Sequence, residues 1–157
     1  HSNGINKPGA MTLESEFGLK VSVAMLNVSA FDTDRWRYRE IYIHSKLMLV
    51  DDVFMTLGSA NLNQRSMAVD SEINIATVDS RVATDLRKRV WRMHSGGLAD
   101  GGSGRKAEIV TAFKDWNNLM RSNRKKKFEK SENAILRKMT GFLLPLEDKR
   151  SSTIRLG

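Results

Sequence analysis

The sequence predicts an α/β fold in which short strands come first and helices follow. Up to residue 78 the apolar residues fall in short runs, rich in β-branched residues and partly alternating, which is typical of strands. From Ser80 onward they recur every three or four residues, which is typical of amphipathic helices. We expect a mixed central sheet flanked by helices and followed by a basic helical C-terminal segment.

The strand region contains four apolar runs. We predict strands over residues 19–28 and 71–78, with a polar loop over residues 31–40 between them. The runs IYIHSKLMLV and VFMTLGS lie on either side of Asp51 and Asp52 and predict a hairpin with this acidic pair at its turn. The stretch ANLNQRSMAVD that follows is rich in turn and cap residues, so we expect a loop with one helical turn.

Three helices are predicted after residue 80. The first ends near the sequence HSGG, and the third, over residues 131–140, is stopped by Gly141. The apolar positions that define the first two are Val82, Leu86, Val90 and Met93, and then Ile109, Phe113, Trp116 and Met120.

A glycine-rich stretch over residues 99–105 is the best internal boundary in the chain. It divides a first unit, residues 1–98, from a basic helical extension, residues 106–157. The beginning, HSNGINKPGA, is neither a signal peptide nor an initiator methionine followed by a domain start, and we expect it to be the cut or trimmed end of something longer.

Composition restricts the class of protein. The chain has 157 residues, of which 40% are hydrophobic, enough for one domain with a real core. No apolar run approaches the roughly 20 residues that span a bilayer. The chain contains no cysteine, so a disulfide framework is excluded.

The basic excess is confined to the second half of the chain. Residues 1–80 carry 7 Lys and Arg against 10 Asp and Glu, a net charge of −3, whereas residues 81–157 carry 19 against 8, a net charge of +11. A basic surface favours anionic partners, either phospholipid surfaces or nucleic acids. A solvated helix face explains the run RSNRKKKFEK equally well.

Five polar residues in and after the hairpin form a pattern that suggests chemistry. His44 and Lys46 are two residues apart on what reads as a buried strand, so both should point to one face. They are followed by Ser59, Asn61 and Glu72. An imidazole, an ammonium, a hydroxyl, a carboxamide and a carboxylate in one pocket suit a phosphodiester.

Each residue type has a role in that chemistry. Lys46, Ser59 and Asn61 can bind non-bridging phosphate oxygens and stabilise the charge of the transition state. His44 can act as nucleophile or general acid/base because its reference pKa near 6.5 is close to working pH. Glu72 is the candidate for fixing the imidazole tautomer.

The stretch HSKLMLVDD…GSANLNQRS resembles the HxKxxxxD…GSxN signature of the phospholipase D superfamily. The following DSEINIA resembles the acidic segment after the second such motif in true phospholipases D. The similarity covers about residues 36–95 and implies a phospholipase D-like half-domain. The wording is most similar to bacterial phospholipases D, including some delivered as antibacterial secretion-system (type VI) effectors, which implies a secreted toxin.

The resemblance implies a mechanism. Family members use two facing copies of the motif: one histidine attacks phosphorus, and the other protonates the leaving alcohol and then activates water or another alcohol. The resemblance then implies catalytic roles for four residues. His44 is the acid/base, Glu72 orients His44, and Lys46 takes part as well. Asp51 is the fourth, and it supports the loop more readily than it touches substrate. Lys46, Ser59 and Asn61 bind phosphate, and no metal or other cofactor is required.

The sequence contains a single copy of the motif, and three explanations fit. In the first, the chain is the C-terminal part of a longer two-motif enzyme. In the second, it pairs with an identical subunit, as single-motif nucleases do. In the third, it is an inactive interaction fragment. We favour the first, with a phospholipid or membrane surface as partner and nucleic acid as the second choice.

Overall fold

The computed structural model describes residues 10–128 and 137–146, which contain four helices and six strands and confirm the α/β class. In chain order these elements are α1 (Ala10–Phe17), β1 (Ala24–Asp32), β2 (Arg35–Glu40), β3 (Lys46–Val50), β4 (Phe54–Gly58), α2 (Gln64–Ala68), β5 (Asn74–Thr77), α3 (Ser80–Ser95), α4 (Lys106–Phe128) and β6 (Leu143–Pro145). No helix within these ranges is long and apolar enough to cross a membrane.

The strands form two sheets instead of the single mixed sheet that we expected. One sheet has the order β2-β1-β6 and the other the order β3-β4-β5. All four pairings are antiparallel. Short turns join β1 to β2 and β3 to β4, and such turns produce antiparallel pairs, because a parallel pair needs a long crossover connection.

The loop predicted over residues 31–40 is wrong, because most of this stretch is strand. β1 continues to Asp32, and its residues from Asn27 to Asp32 pair with β2. The rings of Phe31 and Trp36 meet edge to face across the pair, with centroids 5.7 Å apart. In β2, arginines alternate with aromatic residues, and this period of two was hidden by the high charge of the segment.

The predicted hairpin is confirmed. β3 pairs with β4 from Lys46–Gly58 to Val50–Phe54. Asp51 and Asp52 lie at the turn with φ angles of 48° and 56°. This left-handed conformation is one that Asp tolerates better than most residues.

Apart from the third helix, the other predicted elements are confirmed in type, with shifted ends. The single helical turn is α2, and the strand predicted over residues 71–78 is the shorter β5. α3 ends at Ser95, and Gly96 caps it with a left-handed φ of 68°. The third predicted helix, over residues 131–140, lies mostly outside the described residues, and residues 138–140 are not helical.

A fully buried asparagine connects α4 to the C-terminal strand. The side-chain amide of Asn123 donates to the carbonyl oxygens of Thr140 and Leu143 at 2.9 Å and accepts from the amide of Thr140 at 2.9 Å. β6 in turn pairs with β1. Residues on both sides of the glycine-rich stretch therefore share one packed region, and the division into units at residues 98 and 106 stays a prediction.

A partly buried ion pair joins the β3–β4 hairpin to α3. The guanidinium of Arg87 donates to both carboxylate oxygens of Asp52, at 2.5 and 2.6 Å. It also donates to the carbonyl oxygens of Asp100 and Gly102, at 2.7 and 2.9 Å. The Arg87 and Asp52 side chains are only 12% and 16% exposed. One side chain therefore connects the hairpin turn, the helix and the glycine-rich stretch.

We expect Arg87→Ala to lower the free energy of unfolding by about 3–5 kcal/mol, because it leaves a carboxylate with little solvent and without its guanidinium partner. Arg89→Ala is the matched control, since Arg89 pairs with Asp85 on the same helix with side chains 76% and 61% exposed. The control should cost about 0.3–0.5 kcal/mol. Urea unfolding measures both values, and equal losses would contradict the assigned role of Arg87.

The same pair should make stability depend on acid pH. Hydrogen bonds from Arg87 hold the pKa of Asp52 below its ordinary value of 3.8. A group with a lowered pKa contributes stability that is present above its unfolded-state pKa and is lost as the pH falls through the folded-state pKa. The difference in unfolding free energy between wild type and Arg87→Ala should therefore shrink below about pH 4. Urea titrations at a series of pH values test this, and a constant difference would show that Asp52 is not the titrating group.

Candidate active site

Three strands of the second sheet meet in one row of paired residues. Lys46 is the first residue of β3 and pairs with Gly58, the last residue of β4. Gly58 also pairs with Asn74, the first residue of β5. The residues just beyond this row therefore collect at one end of the sheet.

Glu72 lies at the centre of the polar cluster at this end. A hydrogen bond from the Ser59 hydroxyl is the largest cause that lowers the pKa of the Glu72 carboxyl. A hydrogen bond from the Ser66 hydroxyl and the charge of Lys46 lower it further. Glu72 is therefore a carboxylate at neutral pH, with Lys46 as a neighbouring cation. The sheet brings together three of the predicted residues: Lys46, Ser59 and Glu72.

Ser59 is held in place by the backbone of the facing segment. Its amide donates to the carbonyl oxygen of Ile73 at 3.0 Å, and its hydroxyl accepts from the amide of Ile73, also at 3.0 Å. These bonds continue the β4–β5 ladder by one residue and fix the hydroxyl beside Glu72.

His44 lies outside the strand on which the sequence placed it. Strand β3 begins only at Lys46, because β4 ends at Gly58 and offers no partner for residues 44 and 45. His44 is exposed, and its ring stacks on that of Tyr42 with centroids 6.1 Å apart and planes 25° apart. The ammonium of Lys46 donates to its carbonyl oxygen at 2.8 Å. His44 thus borders the cluster, but not as a buried neighbour of Lys46 on one face of a strand.

Asn61 and Asp51 occupy different positions. Asn61 is exposed in the loop between β4 and α2, two residues beyond Ser59. Asp51 is exposed in the hairpin turn, at the opposite end of β3 from Lys46 and about 16 Å away along the strand. The structure does not bring Asp51 to the other predicted residues, and this position gives no support to a catalytic role.

Gly58 of the GSxN motif and Asn74, which sequence reasoning missed, shape the cluster together. A Cβ atom at Gly58 would lie 2.1 Å from the side-chain oxygen of Asn74 and 2.3 Å from the carbonyl oxygen of Ile73, so only glycine fits there. Asn74 also accepts from the amide of Ala60 at 3.2 Å and donates to the hydroxyl of Thr56 at 3.3 Å. It connects β4, β5 and the loop that carries Ser59. The signal that could have pointed to Asn74 was its position directly opposite Gly58 in the paired strands.

Ser66 is the second missed residue, and the short helix α2 positions it. Asn63 caps this helix, accepting from the amide of Ser66 at 2.8 Å. Ser66 is buried, and its hydroxyl reaches Glu72. Arg65 pairs with Asp70 at 3.0 Å and closes the same loop.

A cavity of about 620 Å³ lies elsewhere. It is formed against the Asp51 turn and α3, with Trp91 and Trp116 packed together at a centroid distance of 4.3 Å. Burial lowers the pKa of His94 in its wall. The Lys46–Glu72 cluster is instead on an open surface at the other end of the hairpin.

Comparison with known proteins gives similarity over the same region. Residues 2–94 match the family described as "Cardiolipin synthase, PLD-like domain". Phospholipase D alpha 4 of Arabidopsis thaliana is 40% identical over 74 residues, which are 43% of this chain and 10% of the plant protein. Phospholipase D alpha 1 of Zea mays is 41% identical over 86 residues, 44% of this chain and 11% of its own length.

Phospholipase D alpha 2 of Brassica oleracea var. capitata is 57% identical over 49 residues, 27% of this chain and 6% of its own length. The chain thus spans about a tenth or less of the curated relatives that it matches. These relatives are plant proteins and give no support to the bacterial, secreted-effector and toxin interpretation. The family match extends over more than half of the 157 residues and includes His44, Lys46, Ser59, Asn61 and Glu72. The chain therefore belongs to the phospholipase D-like domain family.

Proposed function

We propose that the protein is a phospholipase D-type phosphodiesterase that cleaves the bond between phosphate and headgroup in a glycerophospholipid. This chain supplies one half of the active site. The observation that carries the proposal is the gathering of Lys46, Ser59 and Glu72 next to His44 at one end of the β3-β4-β5 sheet. The phospholipase D names of the plant relatives support the choice of a phospholipid.

Lys46 and Ser59 are the proposed phosphate-binding groups on the sheet. The Lys46 ammonium has three N–H donors. One donates to the carbonyl oxygen of His44, and two remain for phosphate oxygens. Asn61, exposed in the adjoining loop, is the proposed third donor. Charge-assisted hydrogen bonds of this kind stabilise the pentacoordinate transition state as negative charge builds on its oxygens.

His44 is the proposed general acid/base. A histidine on the other half of the site attacks phosphorus, the P–O bond to the headgroup breaks, and protonated His44 gives its proton to the leaving alcohol oxygen. Neutral His44 then takes a proton from water, whose oxygen attacks phosphorus and breaks the P–N bond. The products are the free alcohol and phosphatidic acid, and His44 is protonated again.

Glu72 is the proposed orienting carboxylate. Its lowered pKa keeps it ionised, so it can accept from the ring N–H of His44 and stabilise the imidazolium. The hydrogen bonds from the serine hydroxyls would hold Glu72 in position. Among the described contacts, the ring of His44 stacks on Tyr42 and its carbonyl oxygen accepts from Lys46.

The second histidine comes, in this proposal, from another segment of the protein or from an identical subunit. The motif occurs once in the sequence. β5 is an edge strand beside the cluster, and its flanking Ile73 and central Ile75 are 77% and 64% exposed. Apolar side chains along an uncovered strand edge are what a second half would cover.

His44→Gln should lower kcat for phosphatidylcholine by about 10²–10⁴-fold, because it removes the proton donor and acceptor. His94→Gln is the matched control, since His94 lies in the cavity against α3 and not in the cluster. Activity is measured as phosphatidic acid formed by the assembly that carries both histidines, with excess EDTA present.

A phosphohistidine trapped by acid quench should map to a peptide other than the one containing His44. Phosphate on His44 itself would reverse the assigned roles. Cleavage of DNA or RNA by a symmetric dimer, without phospholipid cleavage, would support the nuclease alternative instead. Undiminished activity in His44→Gln would remove His44 from the mechanism.

Glu72→Gln should lower kcat by about 10²-fold or more, because the imidazolium loses its carboxylate partner. Asp70→Asn is the control from the same loop, since Asp70 pairs only with Arg65 among the contacts described. Its kcat should stay within about twofold of wild type. Equal losses in the two variants would indicate that Glu72 acts only on the shape of the loop.

A further inference from the structure

Helix α4 carries an exposed basic stripe, which we define as Lys114, Arg121, Lys125 and Phe128. These residues are separated by seven, four and three positions, so they lie along one face of the helix over about 21 Å. All four are exposed, and Phe128 is 59% exposed at the end of the stripe. The opposite face holds the buried Met120 and Asn123.

The cations of the stripe have no carboxylate partner within the described part of the chain, unlike those of α3. On α3, Arg81, Arg89 and Arg92 each pair with an aspartate, at 3.2, 2.8 and 3.0 Å. Among residues 10–128 and 137–146, neither Lys114 nor Arg121 nor Lys125 forms such a pair.

Helix stability does not explain the stripe. Cations in the last turn interact favourably with the helix dipole, but Lys114 and Arg121 lie outside that turn. Arg121 and Lys125 are four residues apart, and like charges at this spacing destabilise a helix. The positive charge also extends beyond the stripe, because Lys126 and Lys127 follow Lys125 in the sequence.

We propose that the basic stripe is the surface on which the protein docks to an anionic phospholipid bilayer. The cations would lie over the lipid phosphates and carboxylates, and Phe128 would enter the boundary between headgroups and acyl chains. Nucleic acid fits less well, because single strands are bound by several aromatic side chains spaced along a basic groove, and the stripe has one, at its end. The inference rests on the proposed function for its choice of lipid.

The test is co-sedimentation of the full chain with vesicles of phosphatidylcholine containing about 30% phosphatidylserine, compared with pure phosphatidylcholine vesicles. The triple variant Lys114→Gln, Arg121→Gln, Lys125→Gln should bind anionic vesicles on the order of 100-fold more weakly, since each cation near the surface contributes about fivefold. Raising the salt from about 0.1 to 0.5 M should weaken the wild type far more than the variant.

The matched control is the triple variant Arg81→Gln, Arg89→Gln, Arg92→Gln, which removes the same charge from α3. It should keep most of the binding, and far-UV circular dichroism checks that both variants are folded. Phe128→Ala should give a smaller loss that salt does not change, because it removes only apolar contact.

Equal losses in the two triple variants would overturn the proposal, because net charge alone would then account for binding. Equal binding to neutral vesicles, or binding to a single-stranded oligonucleotide with none to vesicles, would overturn it as well. His44→Gln separates this inference from the proposed enzyme activity: it should lose hydrolysis and bind vesicles like the wild type. If the wild-type assembly that carries both histidines is inactive but still binds through the stripe, the enzyme proposal is refuted and the docking surface is kept.

Discussion

The contact between Asp52 and Arg87 is the constraint on which the arrangement of the hairpin depends. The β3-β4-β5 sheet has few buried side chains of its own, with Met55 the one in its strands that is almost fully covered. A sheet this small is marginal without support from a helix. The guanidinium supplies that support by holding the hairpin turn against α3, and its carbonyl contacts hold the following connection to the same point.

Three of the predicted site residues collect at the opposite end of the same hairpin. Lys46, Gly58 and Asn74 form one row, and the close approach of Asn74 to Gly58 leaves no room for a side chain at residue 58. The Asp52–Arg87 pair thus holds one end of the sheet, and the polar side chains of the cluster lie at the other end. A polar site on an open sheet end keeps its ions solvated, so the large desolvation cost of a buried ion pair does not arise before substrate binds.

The sequence predicted the type of most elements and the residues that meet at the site, because motif spacing and apolar period are local properties. It failed where the deciding interaction lies across strands. The alternation of arginines and aromatic residues in β2 can be recognised as a strand pattern only when β1 lies beside it, where Phe31 contacts Trp36. The position of His44 outside β3 depends on where β4 ends, and the separation of Asp51 from Lys46 follows from the antiparallel register. Ser66 and Asn74 went unnoticed because serine and asparagine are common in loops and signal little by themselves.

The start of β3 at Lys46 has a consequence for how such a site can diversify. Lys46 and Ser59 are locked by the hydrogen bonds of the sheet and of its extension to Ile73, so any change in their spacing would disturb three strands together. His44 lies in the short segment between β2 and β3, outside both strands, with Tyr42 as its neighbour. Substitutions in residues 42–45 can therefore alter the position of the imidazole while the groups proposed to bind phosphate stay where they are. If the proposed roles hold, proton transfer and anion binding are traits that selection can adjust one at a time.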